Sequence, residues 1–307
     1  MKFTIYQESR QGKRNNNEDR IAYCYSRDAL LMVVADGMGG HYYGEIASQI
    51  AAQTLTDAFQ REARPMLADP FLFLQRSMTN AHHAILDFAA DHNLRDSPRT
   101  TCVACVIQDS IAYWAHAGDS RLYLMRDGRV IGQTRDHSRV RLLVEQGVIS
   151  EAQVANHPER NKVYSCLGGP QPPEIEFARK TPLETGDVVL LATDGFWGPL
   201  PPELLAAALK QANLLQAIPN LMNQAESRGG PHCDNLSVVA TRWEDSYIEP
   251  ARSTISTQTM ALDEITTKLD EFGRNPAYKI DLSDDEIEKA IQEIRSTIDK
   301  YSNSTKK

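Results

Sequence analysis

The chain has 307 residues, a formal net charge of −8 and 41% hydrophobic side chains. That is enough apolar material for a sizeable core in one large domain or two ordinary ones. The acidic balance disfavours a nucleic-acid binder, which usually shows a basic face, and no apolar run approaches the ~20 residues that span a bilayer.

The opening stretch MKFTIYQESRQGK lacks the apolar core of a signal peptide, so a cytoplasmic location is expected. Residues 3–9, 21–25 and 30–35 are short and rich in apolar, β-branched or aromatic side chains, and read as strands. Residues 46–60 follow as a helix. Residues 71–93 read as a longer one, with Phe71, Leu74, Met78, Ala81, Ile85 and Phe88 at helical spacing. Strands return over 101–107, 111–117, 121–125 and 130–133, and Asp127-Gly128 is a hairpin signal between the last two. Consecutive strands with tight turns imply antiparallel pairing rather than a doubly wound parallel sheet.

Residues 138–173 are polar and irregular, and read as a candidate mobile flap between strands. Strands over 174–179, 188–192 and 236–241, with helices over 204–212 and 214–227, complete an α+β pattern of helices packed on antiparallel sheets. A domain over 1–244 is expected to end just after Trp243, with a Ser-, Thr- and Pro-rich linker over 245–258. The tail, 259–307, carries two helical patterns. Leu262, Ile265, Leu269 and Phe272 form the first, stopped by Gly273. The second opens on the capping box Ser283-Asp284-Asp285-Glu286 and continues with Ile287, Ile291, Ile294, Ile298 and Tyr301. Two short helices bury too little surface to fold alone, so the tail is expected to dock on its own body, bind a partner chain or dimerise.

Five cysteines are scattered, and Cys102 and Cys105 lie on one strand. Residues three apart on a strand face opposite ways, which favours packing over zinc or redox chemistry. Four aspartates stand beside turn residues at the ends of apolar strands: Asp36 in VVADGMGGH, Asp119 in AHAGDSR, Asp194 in LLATDGF and Asp234 in HCDNLSVV. Glu18 and Asp19 form a further acidic pair. Two unit charges ~4 Å apart repel by about 4 kcal/mol at an effective dielectric near 20, and a shared divalent cation removes that penalty. Oxygen donors suit Mg²⁺ or Mn²⁺ better than zinc. Two such ions ~3.5–4 Å apart can activate a shared water for in-line attack on a phosphoester.

In order, GKRNNNEDR, VVADGMGGH, the TT of RTTCVACVI, AHAGDSRLYL, TRDHS, LGG, GDVVLLATDG and CDNLSVV resemble the metal-dependent protein phosphatases of the protein phosphatase 2C type, over about residues 7–241. The form DGMGGH is similar to the bacterial branch. The resemblance implies a four-layer sandwich of two antiparallel β-sheets flanked by helix pairs, extended here by the C-terminal helical tail. It implies two core Mg²⁺ or Mn²⁺ ions at one edge of the sandwich. Asp36 would bridge them, the Gly37 carbonyl would be a further ligand, and Asp194 and Asp234 would complete the second ion's shell. Glu18, Asp19 and Asn235 would act largely through water, and Asp119 with Asp194 would hold a third, weaker ion. Arg14 would clamp the substrate phosphate, and His41 would assist the leaving group where other family members place a histidine at the position of Met38. The implied activity is a phosphoserine and phosphothreonine protein phosphatase opposing a bacterial Ser/Thr kinase, with phosphorylated proteins as partners.

Plainer readings stand beside these. Arg14 could be a surface ion pair with Glu18, Asp119 a turn residue paired with Arg121, and Glu18 an orienting group. Arg99 stands where the family usually has glycine. Asp136-His137-Ser138 has the composition of a hydrolase triad, but adjacent residues point apart and read as structural. The remaining histidines read as solvated or satisfied in the core. The alternative function is a non-catalytic regulatory module on the same fold, although such modules lose metal aspartates that are all present here. A two-metal nuclease is disfavoured by the acidic charge.

Overall fold

Short apolar segments joined by tight turns build two antiparallel sheets. The computed structural model describes residues 1–38, 43–154 and 157–245. The expected tail over 259–307, all but the first residue of the linker, and His41 lie outside these. In chain order the elements begin with β1 (Phe3–Arg10), β2 (Asp19–Tyr25), β3 (Ala29–Asp36), α1 (Gly44–Glu62) and α2 (Pro70–Asp91). Then come β4 (Cys102–Gln108), β5 (Ile111–Ala117), β6 (Arg121–Arg126), β7 (Arg129–Gln133), α3 (Arg139–Glu145) and α4 (Glu151–Val154). The last are β8 (Glu176–Phe177), β9 (Thr181–Pro182), β10 (Val188–Ala192), α5 (Asp194–Trp197), α6 (Pro202–Leu209), α7 (Leu214–Gly229) and β11 (Leu236–Trp243).

One sheet runs β1-β11-β10-β6-β7 and the other β2-β3-β4-β5-β8, with β9 also on β5. Three apolar layers separate four layers of structure. Leu31, Val33 and Ala104 pack beneath α1 and α2. Leu190, Val238 and Ala240 pack beneath α6 and α7. Met32, Cys105, Leu124, Leu191 and Val239 fill the seam between the sheets. The inner strands are therefore covered on both faces, which is why they read as continuous apolar runs. Cys102 and Cys105 fall in different layers, as alternation requires. The β6–β7 hairpin turns at Asp127 (φ 49°) and Gly128 (φ 76°), both left-handed as a type I′ turn demands.

Two expected elements are shorter than the sequence implies. Residues 174–179 form a strand only at Glu176–Phe177, because the edge divides: β8 pairs with Ala115 and His116, while β9 pairs with Ile111 and Ala112. Pro182 in β9 has no N–H for a further ladder. The helix expected over 204–212 stops at Leu209. Arg242 donates from Nη2 to the carbonyls of Leu209 (2.6 Å) and Ala212 (3.0 Å), closing the helix end. Among the described residues no helix is long and apolar enough to cross a membrane.

Candidate metal centre and active-site cavity

Both sheets deliver carboxylates to one edge of the sandwich. Asp19 opens β2 and Asp36 closes β3, and the antiparallel register sets them directly opposite. Asp119 sits in the turn where the chain passes from β5 to β6, Asp194 follows β10 at the start of α5, and Asp234 immediately precedes β11. Four of the five side chains are half-buried, and Asp19 is 3% exposed.

Backbone clamps fix this placement. The hydroxyl of Thr101 accepts from the Asp36 amide (3.1 Å), while the Thr101 amide donates to the Asp36 carbonyl (2.9 Å). Thr100 Oγ1 donates to the same carbonyl (2.9 Å), and Thr101 Oγ1 also bonds Ser120 Oγ (2.7 Å) in the Asp119 turn. Thr193 gives its hydroxyl proton to Asp19 (2.9 Å) and accepts from the Ser237 amide (3.0 Å), tying β10, β11 and β2 together. Gly37 is required by space: a Cβ there would collide with the carbonyls of Gly44 and Glu18. Asn235 is held by the backbone around the cluster. Its amide binds Gln11 and Asn16 carbonyls and the Glu18 amide, which joins the loop before β2 to the start of β11.

The electrostatics are unfavourable without a cation. Burial pushes the Asp36 carboxyl well above its usual range, helped by Asp19, Asp194, Asp119 and Asp234. Asp119 is raised in the same way, by burial and then by Asp194. Burial first, against hydrogen bonds from Ser237 and Thr193, lifts Asp19 to about 7. Asp194 rises to about 6 through burial and Asp234. Glu18 is also raised, by burial and then by Glu45. Among the described residues the cation bonded to the cluster is Arg14, whose Nη2 donates to Asp234 Oδ2 at 2.5 Å. Five clustered carboxylates, with no thiolate or imidazole among them, form a donor set that fits hard divalent ions.

The carboxylates open into a cavity of about 620 Å³ whose lining includes Arg14, Gly37, Asp194 and Asp234. The expected flap forms part of the wall through Asn161, Lys162, Val163 and Cys166. Arg14 pairs with Asp234 and not with Glu18, so the plain helical-pair reading fails. Asp119 does not pair with Arg121, which forks onto Asp136 (2.7 Å twice) and stacks over Trp197 (3.4 Å). Asp136, His137 and Ser138 diverge: Ser138 caps α3 by accepting from the Arg141 amide (3.4 Å), and His137 Nδ1 accepts from the Gly118 amide (3.3 Å).

Three wall features escape sequence reasoning. Trp197 Nε1 donates to the Asp119 carbonyl (3.1 Å), holding that turn. Arg99 lines the cavity while paired to Asp96 (2.9 Å), and its buried Nε lacks a partner. Asn161 and Lys162 come from a stretch with no periodicity to place it. Only Arg99 leaves a trace in the sequence, as a departure from the expected glycine.

His116, His137 and Glu176 also bring ligand-type atoms within 4.8 Å of one another. The Gly118 amide on Nδ1 leaves the His137 proton on Nε2, aimed at Glu176 (3.4 Å), and His116 Nε2 donates to the Arg135 carbonyl (2.6 Å). With Tyr164 stacked on His137 (5.4 Å), this group fastens the flap to β5.

Residues 7–229 match the family model described as protein phosphatase 2C. The serine/threonine phosphatase stp of Listeria innocua is 31% identical over 229 residues, covering 74% of this chain and 90% of that protein. The crystal structure of the Mycobacterium tuberculosis serine/threonine phosphatase PstP/Ppp aligns with a TM-score of 0.69 at 30% identity, over 79% of this chain and 99% of that one. The PstP catalytic domain in complex with two manganese ions aligns with a TM-score of 0.68 at 29% identity, again over 79% and 99%.

Proposed function

Since the chain belongs to the protein phosphatase 2C family and is a Ser/Thr protein phosphatase of the bacterial type, we propose that its five-aspartate cluster holds two divalent ions, Mg²⁺ or Mn²⁺, for hydrolysis of phosphoserine and phosphothreonine in proteins phosphorylated by a Ser/Thr kinase. Asp36, the Gly37 carbonyl, Asp194 and Asp234 would hold the pair, with Asp19 and Glu18 acting largely through water. Asp119 with Asp194 is the place for a weaker third ion. When bound, such ions supply charge neutralisation and activation of water at neutral pH.

The remaining work falls to the chain's own groups. Arg14 is half exposed, with 54% of its side chain accessible, and its planar fork can hold two phosphoryl oxygens at the cavity mouth. Thr100 and Thr101 keep the Asp36 backbone from shifting as the carboxylate changes partner. His41 is the proposed proton donor to the departing alkoxide. The observation that carries the proposal is the convergence of five carboxylates, from segments far apart in sequence, at one edge of the sandwich.

The test is manganese-dependent phosphate release from a phosphothreonine peptide and from an aryl phosphate. The wild type should release phosphate from both, and Asp36→Ala should lose both activities. Undiminished turnover in Asp36→Ala would refute the metal mechanism, and a wild type inert under saturating manganese would favour the non-catalytic module.

A further inference from the structure

A second cavity of about 480 Å³ adjoins the first and shares Arg14, Asn161, Asp194 and Asp234 with it. Its outer wall differs in sign from the aspartate cluster. Lys13 and Arg160 line it, both are exposed, and among the described residues neither makes a side-chain ion pair. The other wall-forming cation, Arg14, is already engaged by Asp234. The loop carrying Lys13 is pinned where it is needed: the Lys13 amide donates to the Cys233 carbonyl (2.9 Å), beside Asp234. Arg160 reaches the cavity from a turn closed by its own amide on the His157 carbonyl (3.1 Å). In a chain of net charge −8, unpaired cations gathered beside the proposed catalytic cup call for an anion.

We infer that this cavity is a subsite for a second anionic group on the substrate, so that the favoured substrates are phosphoproteins with another phosphate or a carboxylate within a few residues of the phosphoserine or phosphothreonine. The inference rests on the reading of the first cavity given above, since a phosphate seated at Arg14 directs the neighbouring residues of the peptide into the second. A dianionic phosphate gains more than a carboxylate, because Lys13 and Arg160 act on it together. Exposed pairs are modest, each changing affinity by up to about five-fold, and salt screens them.

The test uses the full chain and nine-residue peptides centred on a non-hydrolysable phosphonate analogue of phosphothreonine. A second position two residues away, on either side, carries glutamine, glutamate or another phosphonate, and Kd is read by fluorescence anisotropy. At low salt the glutamate peptide should bind about 3-fold tighter than the glutamine peptide, and the doubly anionic one about 10-fold tighter. These ratios should shrink toward one at 1 M salt and in the Lys13→Gln/Arg160→Gln double variant. Equal Kd across the series, or a preference that persists in the double variant, overturns the subsite. Phosphate release from matched phosphothreonine peptides separates the two readings. Selective binding without any release with manganese supports the subsite and sinks the phosphatase mechanism, whereas release with no selectivity in Kd does the reverse.

Discussion

Replacing Asp36 with asparagine should make the metal-free protein more stable while removing its response to manganese. The wild-type carboxyl is driven upward by burial and by four neighbouring aspartates. A carboxyl with a raised folded pKa keeps a proton that the unfolded chain releases, so its stabilising term is complete below the unfolded value and is lost as pH rises. The penalty is capped by protonation at about 1.4 kcal/mol for each pH unit above 3.8, or about 4 kcal/mol at pH 7 and about 1.6 kcal/mol at pH 5. Asparagine avoids that term but leaves a half-buried amide to satisfy, so a gain of up to about 2 kcal/mol at pH 7 is expected. With a urea slope of about 2 kcal/mol/M, the midpoint in EDTA should rise by up to about 1 M at pH 7 and stay about level at pH 5. At manganese 100-fold above its Kd the wild type should recover about 2.7 kcal/mol and the variant almost none. A variant less stable than wild type in EDTA at pH 7, or a gain that does not grow between pH 5 and 7, would refute the reasoning.

Manganese affinity should climb between pH 5 and 8, because Asp194 at about 6 and Asp19 at about 7 must give up protons to the ion; calorimetry in buffers of different ionisation enthalpy should detect their release, and a flat profile would contradict it. Arg14→Ala should lower kcat/KM for an aryl phosphate by about 10- to 100-fold, the worth of a charged hydrogen bond, with partial recovery in Arg14→Lys; unchanged kinetics would return Arg14 to a mere partner of Asp234. His41→Ala should slow an alkyl phosphate more than an aryl phosphate, whose leaving group needs no proton, and should alter the pH profile; equal effects on both would remove His41 as the donor.

The two-sheet architecture is legible in the sequence because its determinants are local. Asp127-Gly128 has the chemistry of its turn, and Val188–Ala192 has the continuous apolar character of a doubly covered strand. The grouping of Asp36, Asp119, Asp194 and Asp234 is hinted at by four similar strand ends, but their convergence depends on sheet order, which nothing local specifies. The plainer partners weighed for Arg14 and Asp119 fail for that reason. Sequence spacing offered Glu18 and a turn neighbour, whereas the fold supplied Asp234 and Asp136 from distant segments. Trp197 on the Asp119 carbonyl is of the same kind, since an indole three residues after Asp194 reads as core until its N–H is seen to be used.

Asp19 and Asp36 ride on one sheet and Asp194 and Asp234 on the other, while the seam between them is filled by residues such as Met32, Cys105, Leu191 and Val239. The gap across which ions must be gripped is therefore gauged by the thickness of a greasy filling that never meets substrate. Swapping a methyl group deep in that filling would open or pinch the jaws, so catalytic tuning can arise from positions that surface inspection of the cleft would pass over.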